Sequence, residues 1–181
     1  MTAQSSDMQV RLHTFGSIVC LAILLLCASS SAIFAAVVQP SRSLYVGGGF
    51  SGGDGLSADR PLGSINAALQ KARKGDVIIV APGEYRESIV VSTAGITILG
   101  SAPGDGEPRV VIDSPAGKTT KLLTDSADTV WRGIAFRLRG SGAVTLRAFT
   151  GRFEYCRFTS ESPVPGIEVY GGNPVFQSCT F

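Results

Sequence analysis

The second half of the chain repeats one pattern of aromatic and apolar positions three times. Each copy begins with an aromatic residue, continues with two residues, an apolar residue and one further residue, and closes on phenylalanine. The closing phenylalanines, 22 and 23 residues apart, are Phe136, Phe158 and Phe181. Another apolar position precedes each leading aromatic by nine residues, and these positions are Leu122, Val144 and Ile167. The unit therefore carries two short strand-like segments separated by turn residues.

A repeat of this length, with short β segments and no helix, predicts one turn of a solenoid. Stacked turns lie about 4.8 Å apart and pair their backbone groups, so that equivalent side chains form ladders. We predict three ladders: Phe136–Phe158–Phe181, Leu122–Val144–Ile167 and Cys156–Cys179. Leucine-rich repeats share the period, but their leucine and asparagine consensus is absent. A β-sandwich of two similar hairpins would not need equal spacing at both sets of positions.

The first half of the chain predicts a helix followed by strands. An amphipathic helix is expected at about residues 62–74, between Pro61 and Gly75. Its apolar face carries Ile65, Leu69 and Ala72. Strands are expected at 77–80, 88–92 and 96–99, with a turn at 82–83. Because a solenoid needs a cap where its first turn would expose the interior, we assign that role to the helix.

Residues 1–38 form a hydrophobic leader. A polar start with Arg11 precedes a long apolar run that ends in small residues, which is the layout of a secretory signal. Serines at 29–31 interrupt the run and favour cleavage after Ala32. The alternative is an uncleaved signal-anchor, because residues 15–38 are long enough to span a bilayer. We expect a secreted protein or, in the alternative, one anchored to a membrane by residues 15–38.

Composition narrows the chemistry. The net charge of +2 offers no whole-molecule case for binding nucleic acid. The only histidine, His13, lies in the leader, so the secreted part cannot form a Ser-His-Asp triad or a histidine-ligated metal site. Two cysteines remain after the leader, Cys156 and Cys179, too few for a disulfide scaffold. We expect free buried thiols, since stacked parallel neighbours do not readily adopt disulfide geometry, and the alternative is a disulfide between them in a secreted protein.

A glycine-rich stretch at residues 45–55 matches the nucleotide-binding pattern G-x-G-x-x-G at Gly47, Gly49 and Gly52. That pattern binds phosphate where a helix starts directly after the last glycine, since the free N–H groups of the helix hold the anion. Here the following residues have turn chemistry. We therefore expect a turning loop that needs no phosphate.

From residue 44 onward the chain resembles the start of right-handed parallel β-helix proteins of the pectin-lyase-like superfamily. The resemblance rests on two consecutive motifs, P-x-x-(S/T)-I-x-x-A-(L/V) and GD-x-(I/V)-x-V-x-x-G-x-Y-x-E. The matching residues are Pro61, Ser64, Ile65, Ala68, Leu69, Gly75, Asp76, Val80, Gly83, Tyr85 and Glu87. It implies an all-β, right-handed parallel β-helix (solenoid) with an N-terminal amphipathic capping helix, preceded by the hydrophobic leader.

These expectations divide the chain into three parts. Residues 1–38 are the signal peptide or signal-anchor, 39–60 a linker with the glycine-rich loop, and 61–181 the β-helix domain. The chain stops inside a strand of the repeat, so we expect a truncated domain or an edge that pairs with another chain.

The resemblance also implies carbohydrate chemistry, since the superfamily includes polysaccharide lyases, hydrolases and pectin methylesterases. No catalytic set can be carried over, because the methylesterase Gln and Asp motifs and the aspartate cluster of lyases find no match. Asp54 and Asp59 leave calcium open as a ligand, although turn aspartates more commonly bond their own backbone. No other cofactor or metal is expected.

Four further residues invite a functional role but have a simpler structural one. Asp76 is expected to bond N–H groups at the turn between the helix and the next strand. Tyr85, Glu87 and Trp131 are expected to pack in the coils, the alternative being contact with substrate.

Six arginines within 26 residues are the candidate substrate-binding residues, because guanidinium groups pair bidentately with carboxylate and sulfate. They are Arg132, Arg137, Arg139, Arg147, Arg152 and Arg157. The alternative is a solvated set spread around the coils. Two functions therefore remain open. One is binding or processing of an acidic extracellular polysaccharide, and the other is a non-catalytic extracellular scaffold or an inactive N-terminal fragment of a longer enzyme.

Overall fold

The structure, a computed structural model, describes residues 41–100, 107–114, 120–122, 128–140, 143–161 and 166–181. The predictions for the leader at 1–38 concern residues outside these ranges. Within them, no helix has the length and apolar character needed to cross a membrane.

The described strands, numbered along the chain, form three sheets. The six-stranded sheet contains β1 (Ser43–Val46), β2 (Val77–Val80), β4 (Thr97–Leu99), β7 (Val130–Arg132), β10 (Arg152–Glu154) and β13 (Val175–Gln177). The four-stranded sheet contains β3 (Gly83–Tyr85), β5 (Val110–Ser114), β8 (Ile134–Leu138) and β11 (Arg157–Ser160). The three-stranded sheet contains β6 (Thr120–Leu122), β9 (Val144–Phe149) and β12 (Ile167–Gly172).

Neighbouring strands pair in parallel throughout these sheets. The chain visits the three sheets in rotation, first through β4, β5 and β6, then through β7, β8 and β9, and then through β10, β11 and β12. A chain that returns to the same sheet once per turn, always in the same direction, forms a solenoid. The predicted parallel β-solenoid is confirmed, with about three turns.

The ladder of closing phenylalanines forms as predicted, with Phe136 and Phe158 buried and Phe181 exposed at its end. Phe158 is in register with Phe136, and their rings stack with centroids 5.0 Å apart. Phe181 stacks on the other face of Phe158 at 5.4 Å. The leading aromatics form a parallel column beside them, with Phe153 stacked between Trp131 at 6.4 Å and Phe176 at 5.1 Å. Trp131 is fully buried, which confirms packing as its role.

The second predicted ladder has the wrong register at one position. Val144 pairs with Ile167 as expected, but its partner in the preceding turn is Thr120, and Leu122 pairs with Leu146. Thr120 precedes Trp131 by 11 residues, whereas Val144 and Ile167, which are in register with it, precede Phe153 and Phe176 by nine. Counting nine residues back from Trp131 therefore lands two residues too far along the strand.

The cysteine ladder is present and both thiols are free, with Cys156 buried as predicted and Cys179 only partly buried. Arg157 bridges to Thr180 in parallel register, which places Cys156 and Cys179 in neighbouring turns. The Cys156 thiol lies 3.4 Å from the carbonyl oxygen of Glu154, and burial raises its pKa to about 12. Such a thiol is an inert core group, because the reactive form is the thiolate.

The helix α1 (Ile65–Lys71) is shorter than the predicted 62–74. It starts only after its N-cap residue, Ser64, and it ends at Lys71 because the backbone is already extended at Ala72. The Ser64 hydroxyl accepts a hydrogen bond from the Ala67 N–H at 3.1 Å, which is an N-cap. The buried side chains of α1 are Ile65, Ala68 and Leu69, and the helix contacts β1 and β2.

The strand predicted at residues 88–92 is absent, and the glycine-rich loop is a turning loop as predicted. At 88–92, Ile89 and Val91 are buried and Val90 between them is exposed, and this alternation produced the strand prediction. In the glycine-rich loop, Gly49 and Gly52 have φ of 82° and 85°, a region that suits glycine. The helix begins only at Ile65, so the arrangement required for phosphate binding is absent from this described stretch, as expected.

Candidate functional site

The six candidate arginines are distributed over all three sheets. Arg132 and Arg152 lie on the six-stranded sheet, Arg137 and Arg157 on the four-stranded sheet with Arg139 directly after β8, and Arg147 on the three-stranded sheet. Parallel strands alternate inward and outward residues, so arginines on successive turns share a face only within one sheet. The structure therefore divides the set into separate groups on different faces.

The four-stranded sheet places Arg137 and Arg139 beside a carboxylate that the sequence analysis did not single out. Asp113 is in register with Arg137 in the neighbouring turn. The Nε of Arg139 donates to Asp113 Oδ1 at 2.8 Å, and the Asp113 side chain is only 5% exposed. This contact ties Arg139 to the fold.

The pKa of Asp113 reflects these neighbours. Burial alone would raise the pKa of Asp113, but the hydrogen bond from Arg139, with the positive charges of Arg139 and Arg137, holds that pKa below its ordinary value. Asp113 is therefore a carboxylate at neutral pH and stabilises the arginines around it.

Glu84 is a second carboxylate on this face. It lies 3.7 Å from Arg137 and 3.0 Å from Arg86, and Arg86 lies 4.0 Å from Asp113. Carboxylates and guanidinium groups thus balance one another here. Extending the repeat alignment back one turn, with Ile112 opposite Phe136, would have predicted that Asp113 lies beside Arg137, because each residue directly follows one of that aligned pair.

Arg157 and Arg147 have different partners. Arg157 forms an ion pair with Glu107 and donates to the Thr180 hydroxyl at 3.3 Å. The guanidinium of Arg147 lies over the ring of Tyr170 in the next turn, 5.5 Å from its centroid, which is a cation–π contact.

On the six-stranded sheet, two guanidinium groups share a single carboxylate. Arg132 is in register with Glu154, and the two are 3.6 Å apart. Arg152, two residues before Glu154 on the same strand, lies 3.7 Å from the same carboxylate. One carboxylate thus serves two guanidinium groups. Arg132 also lies over the ring of Tyr155, 5.5 Å from its centroid.

A polar pocket of about 270 Å³ adjoins Arg152 on this sheet. Its lining residues are Asp128, Thr150, Gly151, Arg152, Val175 and Gln177. It offers hydroxyl and amide groups next to a guanidinium, which is the mixture that binds a polar ligand such as a sugar.

Asp54 and Asp76 have structural partners, and Asp59 is exposed. Asp54 accepts a hydrogen bond from the Leu56 N–H at 3.0 Å, as a turn aspartate does, and that bond lowers its pKa. Asp76 accepts bonds from the Arg73 N–H and from Arg42, at 2.9 and 2.8 Å. The prediction that Asp76 bonds at the turn is confirmed. Among the described residues, no three His, Cys, Asp or Glu side chains are grouped as metal ligands would be.

Tyr85 and Glu87 are also engaged within the fold. The Tyr85 hydroxyl donates to the Ala81 carbonyl at 2.8 Å, and the side chain is buried. The Glu87 carboxylate accepts from the backbone N–H groups of Ile65 and Asn66, at 2.8 and 3.0 Å. Both contacts agree with the packing role expected for them.

No protein-family model, no curated protein and no solved structure matches this chain. Its function has to be argued from the residues and contacts given above.

Proposed function

We propose that this chain is a secreted, right-handed parallel β-helix of the pectin-lyase-like kind, and that it binds an acidic extracellular polysaccharide. The three-sheet solenoid and its two consecutive opening motifs support the family. The right-handed sense is supported by the strong preference of parallel crossover connections for that hand. Burial of Ile65, Ala68 and Leu69 against the first turns supports a capping role for α1.

The observation that carries the binding proposal is the exposure of arginine on successive turns of the solenoid. Five of the six candidate arginines keep at least 37% of the side chain exposed, and Arg147 is exposed as well. Within a single sheet, turns about 4.8 Å apart present arginines on successive turns, as Arg132 and Arg152 on the six-stranded sheet and Arg137 and Arg157 on the four-stranded sheet, and such a row suits a linear polymer with repeated carboxylates.

Retention of the purified full-length protein on immobilised polygalacturonate tests this proposal. We expect retention at low salt and elution as the salt concentration rises, because surface charge is screened within about 8 Å at physiological ionic strength. A neutral polysaccharide on the same support is the control. Equal behaviour on both supports, or no retention on either, would contradict the proposal.

The second candidate function is a non-catalytic scaffold, and the engagement of the buried carboxylates favours it over an enzyme. Asp113 and Asp76, which could act as acid or base, are held by Arg139 and Arg42 at 2.8 Å. Incubation with polygalacturonate followed by assay for new chain ends separates the two. Binding without cleavage is the expected result, and cleavage abolished by Asp113→Asn would favour a polysaccharide lyase or hydrolase.

A further inference from the structure

The candidate arginines differ in how completely their donors are used. Arg139 makes a 2.8 Å hydrogen bond to a buried carboxylate, and Arg157 is bound to Glu107 and Thr180. Removing either would leave a partner unpaired. Arg132 and Arg152 approach one shared carboxylate only to 3.6 and 3.7 Å. Arg137 is also 3.7 Å from its partner Glu84, but a second carboxylate, Asp113, is in register with it. Those distances exceed the range of about 2.7–3.2 Å for N–H···O hydrogen bonds.

The shared carboxylate leaves one positive charge in excess. Arg132 and Arg152 contribute two positive charges, and Glu154 between them contributes one negative charge. Among the described residues, the Nε of Arg132 is buried and has no hydrogen-bond partner, so it is out of reach of a ligand. The two side chains are 40% and 58% exposed, and a carboxylate from outside would bind the exposed parts of their guanidinium groups and neutralise the excess charge. Guanidinium groups bind carboxylates in this way, with two parallel N–H···O bonds.

Tyr155 holds Arg132 in position. Its ring lies beneath the guanidinium, and a cation over an aromatic face is attracted by the ring quadrupole. Tyr155 has φ of 53°, a conformation that costs a non-glycine residue free energy. The same bend occurs at the equivalent residues Gly133 and Ser178 of the neighbouring turns, so it belongs to the repeat, and Tyr155 supplies an aromatic ring at this corner.

The pocket beside Arg152 extends the same surface. Thr150 and Gln177 supply a hydroxyl and an amide. Asp128 also lines the pocket and is a competing negative charge, although it forms no ion pair with Arg152 within 4.0 Å, both residues being described. A ligand with one carboxylate and several hydroxyl groups, namely a uronic acid residue, complements these groups.

We propose that Arg132 and Arg152 form a carboxylate-binding subsite for a uronic acid residue on the six-stranded sheet, with Tyr155 as a positioning residue for Arg132. This inference rests on the proposed function and assigns that binding to one of the three sheets. The neighbouring pocket receives the sugar hydroxyls, and Glu154 sets the affinity by competing for the same guanidinium groups.

Binding of an oligogalacturonate to the full-length protein, measured at about 0.15 M ionic strength, tests the subsite. Arg132→Gln with Arg152→Gln should weaken binding about tenfold or more, as loss of charge-assisted hydrogen bonds does. The matched control is Arg73→Gln with Lys74→Gln, which removes the same two charges from exposed positions elsewhere. The control should bind within about twofold of the unmodified protein, because only screened long-range attraction is lost.

Glu154→Gln provides the opposite test. It removes the competing carboxylate and should tighten binding several-fold, whereas Glu161→Gln, which adds the same charge at an exposed position beside the four-stranded sheet, should change binding little. If the ion pairs with Glu154 had only a structural role, Glu154→Gln would weaken binding or leave it unchanged. Tyr155→Phe should retain affinity and Tyr155→Leu should lose it, since only the former keeps the aromatic face.

The outcomes separate the inference from the proposed function. If the unmodified protein binds no oligogalacturonate, both are overturned. If it binds, and the Arg132/Arg152 variant binds as well as its control, the subsite is wrong while the proposed function stands. Thermal unfolding of each variant identifies misfolding. If the Arg132/Arg152 variant is misfolded, Glu154→Gln becomes the deciding variant. Tighter binding by Glu154→Gln would then support the subsite, and unchanged or weaker binding would overturn it.

Discussion

At the scale of single residues, charge pairing decides which side chains belong to the fold and which remain for a ligand. Asp113 is nearly buried and is held by Arg139, so the pair is an internal contact although both residues lie on an outward face. Glu154 is shared loosely by Arg132 and Arg152. Residue type alone would treat all six arginines alike, and the carboxylates that stacking brings beside each of them distinguish them.

The Asp113–Arg139 contact predicts a pH dependence of stability. The pKa of Asp113 is lower in the folded protein than its ordinary value of 3.8, so the contact stabilises the fold above that pH. The stabilisation is lost as the pH falls through the lowered pKa of the folded state. Asp113→Asn should reduce the free energy of unfolding at pH 7 by about 2 kcal/mol, the value of a hydrogen bond to a charged group.

Chemical denaturation of both proteins at a series of pH values checks this prediction. The difference between them should shrink as the pH falls below 3.8. Asp59→Asn is the control, because Asp59 is exposed at the surface, and it should have little effect at any of these pH values. A difference that stays constant down to acid pH would show that Asp113 acts without its charge.

At the scale of elements, the helix α1 depends on a residue far along the chain. Its seven residues are too few for independent stability in water. The Glu87 carboxylate accepts from two N–H groups of its first turn and from the Asn66 side chain at 2.9 Å. A negative group at this position also interacts favourably with the helix dipole. The start of the helix is therefore set by the first turn of the solenoid.

Glu87→Gln should lower the free energy of unfolding by about 1–2 kcal/mol, because a neutral amide replaces a charged acceptor of several hydrogen bonds. Glu84→Gln is the matched control on the same turn, where the carboxylate lies at the surface. Denaturant unfolding measures both. Equal losses for the two variants would contradict a special role for Glu87 at the helix terminus.

At the scale of the whole molecule, stability comes from stacking one turn on the next. Each inward aromatic contacts its equivalents above and below, so burial is shared along a column and no single turn is stable by itself. The two columns also contact each other, since Phe153 meets Phe136 and Phe158 edge to face at 6.1 and 5.5 Å. These edge contacts join two sheets of the solenoid.

Phe158→Ala should cost about 3–5 kcal/mol of unfolding free energy, because it removes a buried ring from between Phe136 and Phe181. Phe181→Ala should cost clearly less, since Phe181 is 78% exposed. Denaturant unfolding of the two variants compares an inner and an outer position of the same ladder. Similar losses would be inconsistent with the stacking order described here.

The sequence by itself determined the period, the parallel β-solenoid and the inward columns, because the alternation of buried aromatic positions is a local property that recurs in every turn. It also indicated the helix, the turning role of the glycine-rich loop and the packing role of Trp131. These features need no knowledge of how the connections between strands differ in length.

Only the tertiary structure decided the register of the third sheet and the partners of the arginines. The longer connection after β6 shifts Leu122 from Val144 to Leu146, which equal spacing could not reveal. Arg139 meets Asp113 across 26 residues, and Arg132 meets Glu154 across one turn, because stacking brings distant segments within about 5 Å. Which guanidinium groups remain for a ligand depends on those contacts, and they exist only once the turns are stacked.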